Sequence, residues 1–130
     1  MKGLLHAVVA GLISGLFSPI CFLSSFLSGG IAIGSYLQFT TTESLSTKET
    51  FYIGLVCGLT AGLSAILLWY GILLRLERSF LAVFSIISIE GIQEQLADNL
   101  WMYGGLHLLA CPVLSLGGAF IAERLYARDR

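Results

Sequence analysis

Long apolar stretches alternate with short polar ones along this chain. No Asp, Glu, Lys or Arg occurs between Lys2 and Glu43, a gap of 40 residues. A second gap of 25 covers residues 50–74, and a third of 24 covers 99–122. A helix needs about 20 apolar residues to cross a bilayer. The first gap has room for two crossings and a tight turn, and each of the others for one. Four transmembrane helices are therefore predicted, at about residues 3–18, 20–39, 51–74 and 103–125. Pro19 suits the first turn of a helix, which puts the hairpin between the first two helices at Ser18-Pro19. Residues 40–50 read as a polar loop.

The stretch from residue 79 to 102 has a different pattern. Its apolar run, 80–89, is short for a crossing and contains Ser85 and Ser88. Glu90, Glu94 and Asp98 follow at i, i+4, i+8 on one helical face, with Ile89, Ile92, Leu96 and Leu100 on another. An interfacial amphipathic helix is expected here, because a crossing would carry Glu90 towards the bilayer interior at a cost of about 2–3 kcal/mol or more.

Composition agrees: 56% of residues are hydrophobic and 12% charged, against about 25% charged in soluble domains. A soluble domain of this size buries only about two-thirds of its chain area and could not hide so much apolar surface. The fold class expected is thus all-α: a polytopic membrane protein in one transmembrane domain, with four transmembrane helices and one interfacial helix. The lipid bilayer is the first partner implied. The start of the chain resembles a signal peptide, but Leu16 and Pro19 disfavour cleavage, so a retained first helix is expected.

Charge then sets topology. With an even number of crossings, Lys2, Lys48, Arg124, Arg128 and Arg130 share one side, and Arg75 and Arg78 the other. The positive-inside rule places both termini in the cytoplasm of a multi-pass cell-membrane protein. Aromatic residues fall into two matching belts: Tyr36, Tyr52 and Tyr126 inside, and Trp69, Tyr70, Trp101 and Tyr103 outside. A net charge of −1 gives no general affinity for nucleic acid.

Two segments look duplicated. Residues 10–16 (AGLISGL) align with 57–63 (CGLTAGL), an offset of 47; Gly29-Gly30 align with Gly117-Gly118, an offset of 88. The chain thus reads as two repeated hairpins with an insertion in the second. Helices one and three would cross in the same direction, as in parallel repeats about an axis along the membrane normal.

Small residues recur every four positions, as in a glycine zipper. Gly3, Ala7, Gly11 and Gly15 do so on the first helix, Gly30 and Gly34 on the second, and Gly54, Gly58 and Gly62 on the third. Gly117 and Gly118 add a small-residue pair on the fourth. In lipid, helices associate through close backbone approach, which small residues permit. These positions are expected to pack helix against helix within the chain; self-association and a glycine-lined pore are the other readings.

Chemistry is sparse. His6 and His107 lie near opposite ends of the bundle and read as interfacial polar residues. Cys21, Cys57 and Cys111 read as small buried hydrophobes, since their spacing matches no metal motif. Pro112 is expected to kink the last helix. Glu90, Glu94 and Asp98 form an outer acidic face, with solvation as its default role. No catalytic motif, cofactor site or metal site is present, so an enzyme is not expected.

The order of these features resembles small bacterial four-helix integral membrane proteins of unknown function. The likeness rests on residues 11–16, Pro19 and Cys21, Gly29-Gly30 with Tyr36, and residues 58–63, together with the acidic segment before the last crossing. It implies the fold and no activity. The function expected is that of a non-enzymatic accessory or scaffold component acting through helix packing, with a homo-oligomer or a membrane-protein partner. The alternative is a transporter or channel component acting as an oligomer.

Overall fold

In a computed structural model, residues 3–17, 23–40, 45–70 and 100–128 are described. They form four α-helices and no strand: α1 (Leu4–Phe17), α2 (Leu23–Thr40), α3 (Thr47–Ala65) and α4 (Leu100–Arg128). A π-helical turn, Ile66–Tyr70, extends α3.

Apolar length defines these elements, and local chemistry sets their ends. α3 begins at Thr47, four residues before the expected start. Ser46 caps it: the Ser46 hydroxyl accepts from the Glu49 backbone N–H, and Glu49 Oε2 accepts from the Ser46 backbone N–H at 3.0 Å. Two donors that helix geometry leaves unpaired are thereby satisfied. α4 begins at Leu100 and ends at Arg128, longer at both ends than residues 103–125. Leu100–Met102, expected at the end of a surface helix, belong to its first turn; residues 79–99 of that segment lie outside the described residues. α4 also continues through Pro112.

Among the described residues, two stretches are long and apolar enough to cross a membrane: Thr47–Leu68, of 22 residues, and Gly104–Tyr126, of 23. α1, of 14 residues, is about 21 Å long at 1.5 Å per residue.

Contacts give the bundle order. α3 packs on α1 and α4, and α2 packs on α4 and α1. The sequence of partners fixes direction. Gly3 meets Ile53 and Gly15 meets Ser64, so α1 and α3 run parallel. Gly29 meets Ser115 and Gly34 meets Tyr126, so α2 and α4 run parallel. Gly54 meets Ala119 whereas Gly62 meets His107, so α3 and α4 are antiparallel. One diagonal is closed, with α2 touching α3, while α1 and α4 stay largely apart. A twofold axis along the bundle exchanges diagonally opposite helices, whereas α1 and α3 are neighbours, as are α2 and α4, so no such axis relates the two hairpins.

The distribution of side chains is inverted relative to a soluble bundle. The interior holds Ala7, Ala10, Ala32, Ala61, Ala65, Ala119, Cys57 and Cys111, with Ile33, Leu37, Leu45 and Ile53 as its larger members. Ser14, Ser25, Ser28, Thr50, Ser64, His107 and Ser115 are buried among them. Among the described residues, 24 large apolar or aromatic side chains are exposed, including Leu5 at 71%, Leu109 at 74% and Phe39 at 77%.

Candidate functional site

Backbone proximity is the first feature of the interior. A β-carbon at Gly11 would lie 2.5 Å from the Cys57 carbonyl oxygen, and one at Gly15 would lie 2.9 Å from that of Ala61 and overlap the Ser64 hydroxyl. Gly58 abuts Pro112, and a β-carbon there would lie 2.7 Å from the Cys111 carbonyl oxygen. At Gly62 the neighbour is the His107 carbonyl oxygen, at 3.0 Å, and at Gly54 it is the Ala119 β-carbon, also at 3.0 Å. Between α2 and α4 the pairs interlock: a β-carbon at Gly29 would run into the Ser115 carbonyl, and one at Gly118 into the Phe26 carbonyl.

Other small positions are looser. Gly3 faces the flexible end of Ile53; Gly34 faces Tyr126, with the phenol oxygen at 3.3 Å. Gly30 and Gly117 have their nearest neighbours at 3.6 Å, ordinary contact distance. Ala7 is fully buried. Gly29, which the four-residue spacing passes over, sits tighter than Gly30 beside it. The aligned segments also differ in role, since Gly11 and Gly15 meet α3 while Gly58 and Gly62 meet α4.

Close approach brings hydroxyls together in the interior, from the last turn of α1 and the first turn of α2 towards the middle of α3 and α4. Ser14 Oγ donates to Ser25 Oγ at 3.5 Å and lies 3.4 Å from Ser24 Oγ. Ser24 Oγ donates to the Ser14 carbonyl at 3.4 Å, and Ser28 Oγ to the Ser25 carbonyl at 2.8 Å. The Cys57 thiol donates to Ser28 Oγ at 3.4 Å. Ser115 lies beside the same thiol but makes no well-aligned hydrogen bond among the described residues. Ser64 Oγ reaches the Gly11 carbonyl at 3.5 Å and the Ala61 carbonyl at 3.1 Å. Buried polar side chains thus come from all four helices. No motif marked these serines in the sequence. Each stands alone between apolar residues, and only the bundle collects them.

The two histidines lie at opposite ends. His6 Nδ1 is 3.1 Å from Ser35 Oγ, its ring edge-on to Tyr36 and stacked on Phe39. His107 is buried, rather than at a surface, with its carbonyl against Gly62. Glu90, Glu94, Asp98 and Cys21 lie outside the described residues. Among the described residues, no three His, Cys, Asp or Glu side chains come together to hold a metal ion.

Charge concentrates at one end. Lys48 and Glu49 open α3, and Glu123, Arg124 and Arg128 close α4; all charged residues among those described are here. A cleft of about 160 Å³ opens at this end, lined by Gly3, Leu4, Tyr36, Leu45, Lys48, Glu49, Tyr52 and Ile53. No protein-family model, curated protein or solved structure matches the chain.

Proposed function

We propose that the chain is a multi-pass protein of the cell membrane that crosses the bilayer four times, keeps both termini in the cytoplasm, and works through helix packing as a non-enzymatic accessory or scaffold component. The inverted side-chain distribution supports this reading most. Water would expel the exposed leucines and phenylalanines into a core, and contiguous apolar surface on this scale is an interaction surface in any solvent. Lipid accepts them and rewards small interior residues. The confinement of described charge to one end of the bundle supports a shared side for the chain ends. That end is cytoplasmic on the positive-inside count.

Cysteine labelling tests the topology in a cysteine-free background. Ser46→Cys should be shielded from an impermeant reagent added outside intact cells, and Asp98→Cys should react. Outside labelling at Ser46 overturns the topology. If the chain stays soluble and monodisperse without detergent, the membrane reading itself fails.

The interior run of hydroxyls favours a second reading, a transport or channel component acting as an oligomer. Reconstituted vesicles separate the two. A transport component raises solute or ion flux above that of empty vesicles, and an accessory component does not.

A further inference from the structure

The cleft at the charged end combines chemistry that helix packing does not require. Lys48 is exposed, and no ion pair to it occurs among the described residues. Glu49 spends Oε2 on two bonds from Ser46, the backbone N–H at 3.0 Å and the hydroxyl at 2.9 Å, which leaves Oε1 uncommitted among the described residues. Among the described residues of the cleft, one cation and one carboxylate therefore stand side by side, with the rings of Tyr36 and Tyr52 on its walls. Leu4, Leu45 and Ile53 make the rest apolar.

The cleft is smaller than the roughly 300 Å³ at which pockets begin to enclose a whole drug-sized molecule. A small polar group fits it, and longer apolar parts must stay outside. The apolar outer face of α1 starts at the cleft, where Leu4 lines the wall and Leu5 beside it is 71% exposed.

We propose that this cleft binds the phosphoethanolamine head group of a membrane lipid, with the phosphate at Lys48 and the primary ammonium at Glu49. The proposal rests on the membrane reading above, which puts this end of the bundle at the level of lipid head groups. Both charges of that head group find an opposite charge. An anionic head group without an amine would leave the Glu49 carboxylate facing added negative charge. A choline head group carries no N–H to donate to Glu49. Phenol rings attract either kind of ammonium, so the N–H donated to Glu49 carries the discrimination against choline.

Native mass spectrometry of the detergent-purified full chain tests this with an equimolar mixture of phosphatidylethanolamine, phosphatidylglycerol and phosphatidylcholine. The wild type should retain phosphatidylethanolamine at least about threefold over each of the others, the scale of a modest charge contact. Lys48→Ala should lower retention of both phosphatidylethanolamine and phosphatidylglycerol. Glu49→Gln keeps a side chain able to complete the helix cap, so its fold is preserved, and it should abolish the preference for phosphatidylethanolamine over phosphatidylglycerol. Equal retention of the three lipids by the wild type, or an unchanged preference in both variants, overturns the proposal. Water-soluble glycerophosphoethanolamine is the control for a chain-free ligand; binding as tight as that of the lipid would overturn the lipid assignment. A chain that needs detergent yet shows no head-group preference refutes this site alone and leaves the membrane reading standing.

Discussion

Gly58 on α3 rests against Pro112 on α4 with no side chain between the two backbones. A β-carbon at Gly58 would collide with the Pro112 Cα and lie 2.7 Å from both the Pro112 nitrogen and the Cys111 carbonyl oxygen. Backbone atoms cannot rotate away, so α3 and α4 must separate to admit any side chain. Overpacking a tight interior typically costs about 1–3 kcal/mol. Gly58→Leu should fall at or above the top of that range. Thermal unfolding in detergent should show a clear drop in midpoint; an unchanged midpoint would mean that the two helices do not meet here.

Adjacent glycines make a sharper test, because composition and helix are held constant. Gly29 and Gly118 face carbonyl groups across the α2–α4 interface, whereas Gly30 and Gly117 have 3.6 Å to their nearest neighbours. Gly29→Ala and Gly118→Ala should each cost more than about 2 kcal/mol. Gly30→Ala and Gly117→Ala should be neutral, or stabilising by up to about 1 kcal/mol through better helix propensity. Denaturant titration of the four variants would show the split. Equal losses at Gly29 and Gly30 would contradict the interface.

The same glycines mark what a sequence can and cannot carry. The charge gaps suffice for an all-helical chain, because a helix is the structure that pairs its own backbone across long apolar runs. The four-residue spacing of Gly11 with Gly15 and Gly58 with Gly62 is equally plain. Which helix each pair meets is not, since spacing fixes a face and not a neighbour. Gly29 escapes the spacing rule altogether. The start of α3 is legible too, since Ser46-Thr47-Lys48-Glu49 has the Ser-x-x-Glu form of a capping box, although the apolar run alone points to residue 51. The buried hydroxyls were not readable. In water a serine marks a surface or a turn, and only the packed bundle shows that Ser14, Ser25 and Ser28 point inward.

Those hydroxyls should hold the helices together. Ser28 links α2 to α3 through the Cys57 thiol at 3.4 Å. Single hydrogen bonds between membrane helices contribute about 0.6 kcal/mol on average, and up to about 1.7. Ser28→Ala should cost an amount in that range. A double-mutant cycle with Cys57→Ala should show coupling, because either change alone removes the bond. Additive losses would mean that the contact contributes nothing. The thiol itself is fully buried, so it should react with alkylating reagents only after unfolding.

The final prediction concerns the first turn of α3, at the charged end. Four N–H groups at a helix start have no partner within the helix. Ser46 and Glu49 satisfy two of them reciprocally, with the Ser46 hydroxyl 3.3 Å from the Glu49 nitrogen and the Glu49 carboxylate 3.0 Å from the Ser46 nitrogen. Ser46, Thr47, Lys48 and Glu49 are all exposed, so water can replace the lost bonds in part. Ser46→Ala should therefore cost about 1 kcal/mol, the usual value of a cap, and not the larger cost of an orphaned buried donor. Ser46→Asp should retain most of the stability, since its carboxylate caps equally well, although two acidic groups would then sit three residues apart. Hydrogen exchange reads the effect locally. Protection of the Glu49 amide should fall in Ser46→Ala and persist in Ser46→Asp. The amides of Cys57 and Gly58, two turns further along α3, should be unaffected in both. Loss of protection throughout α3 in Ser46→Ala would mean that this cap governs the whole helix, against the extensive packing of α3 on α1 and α4.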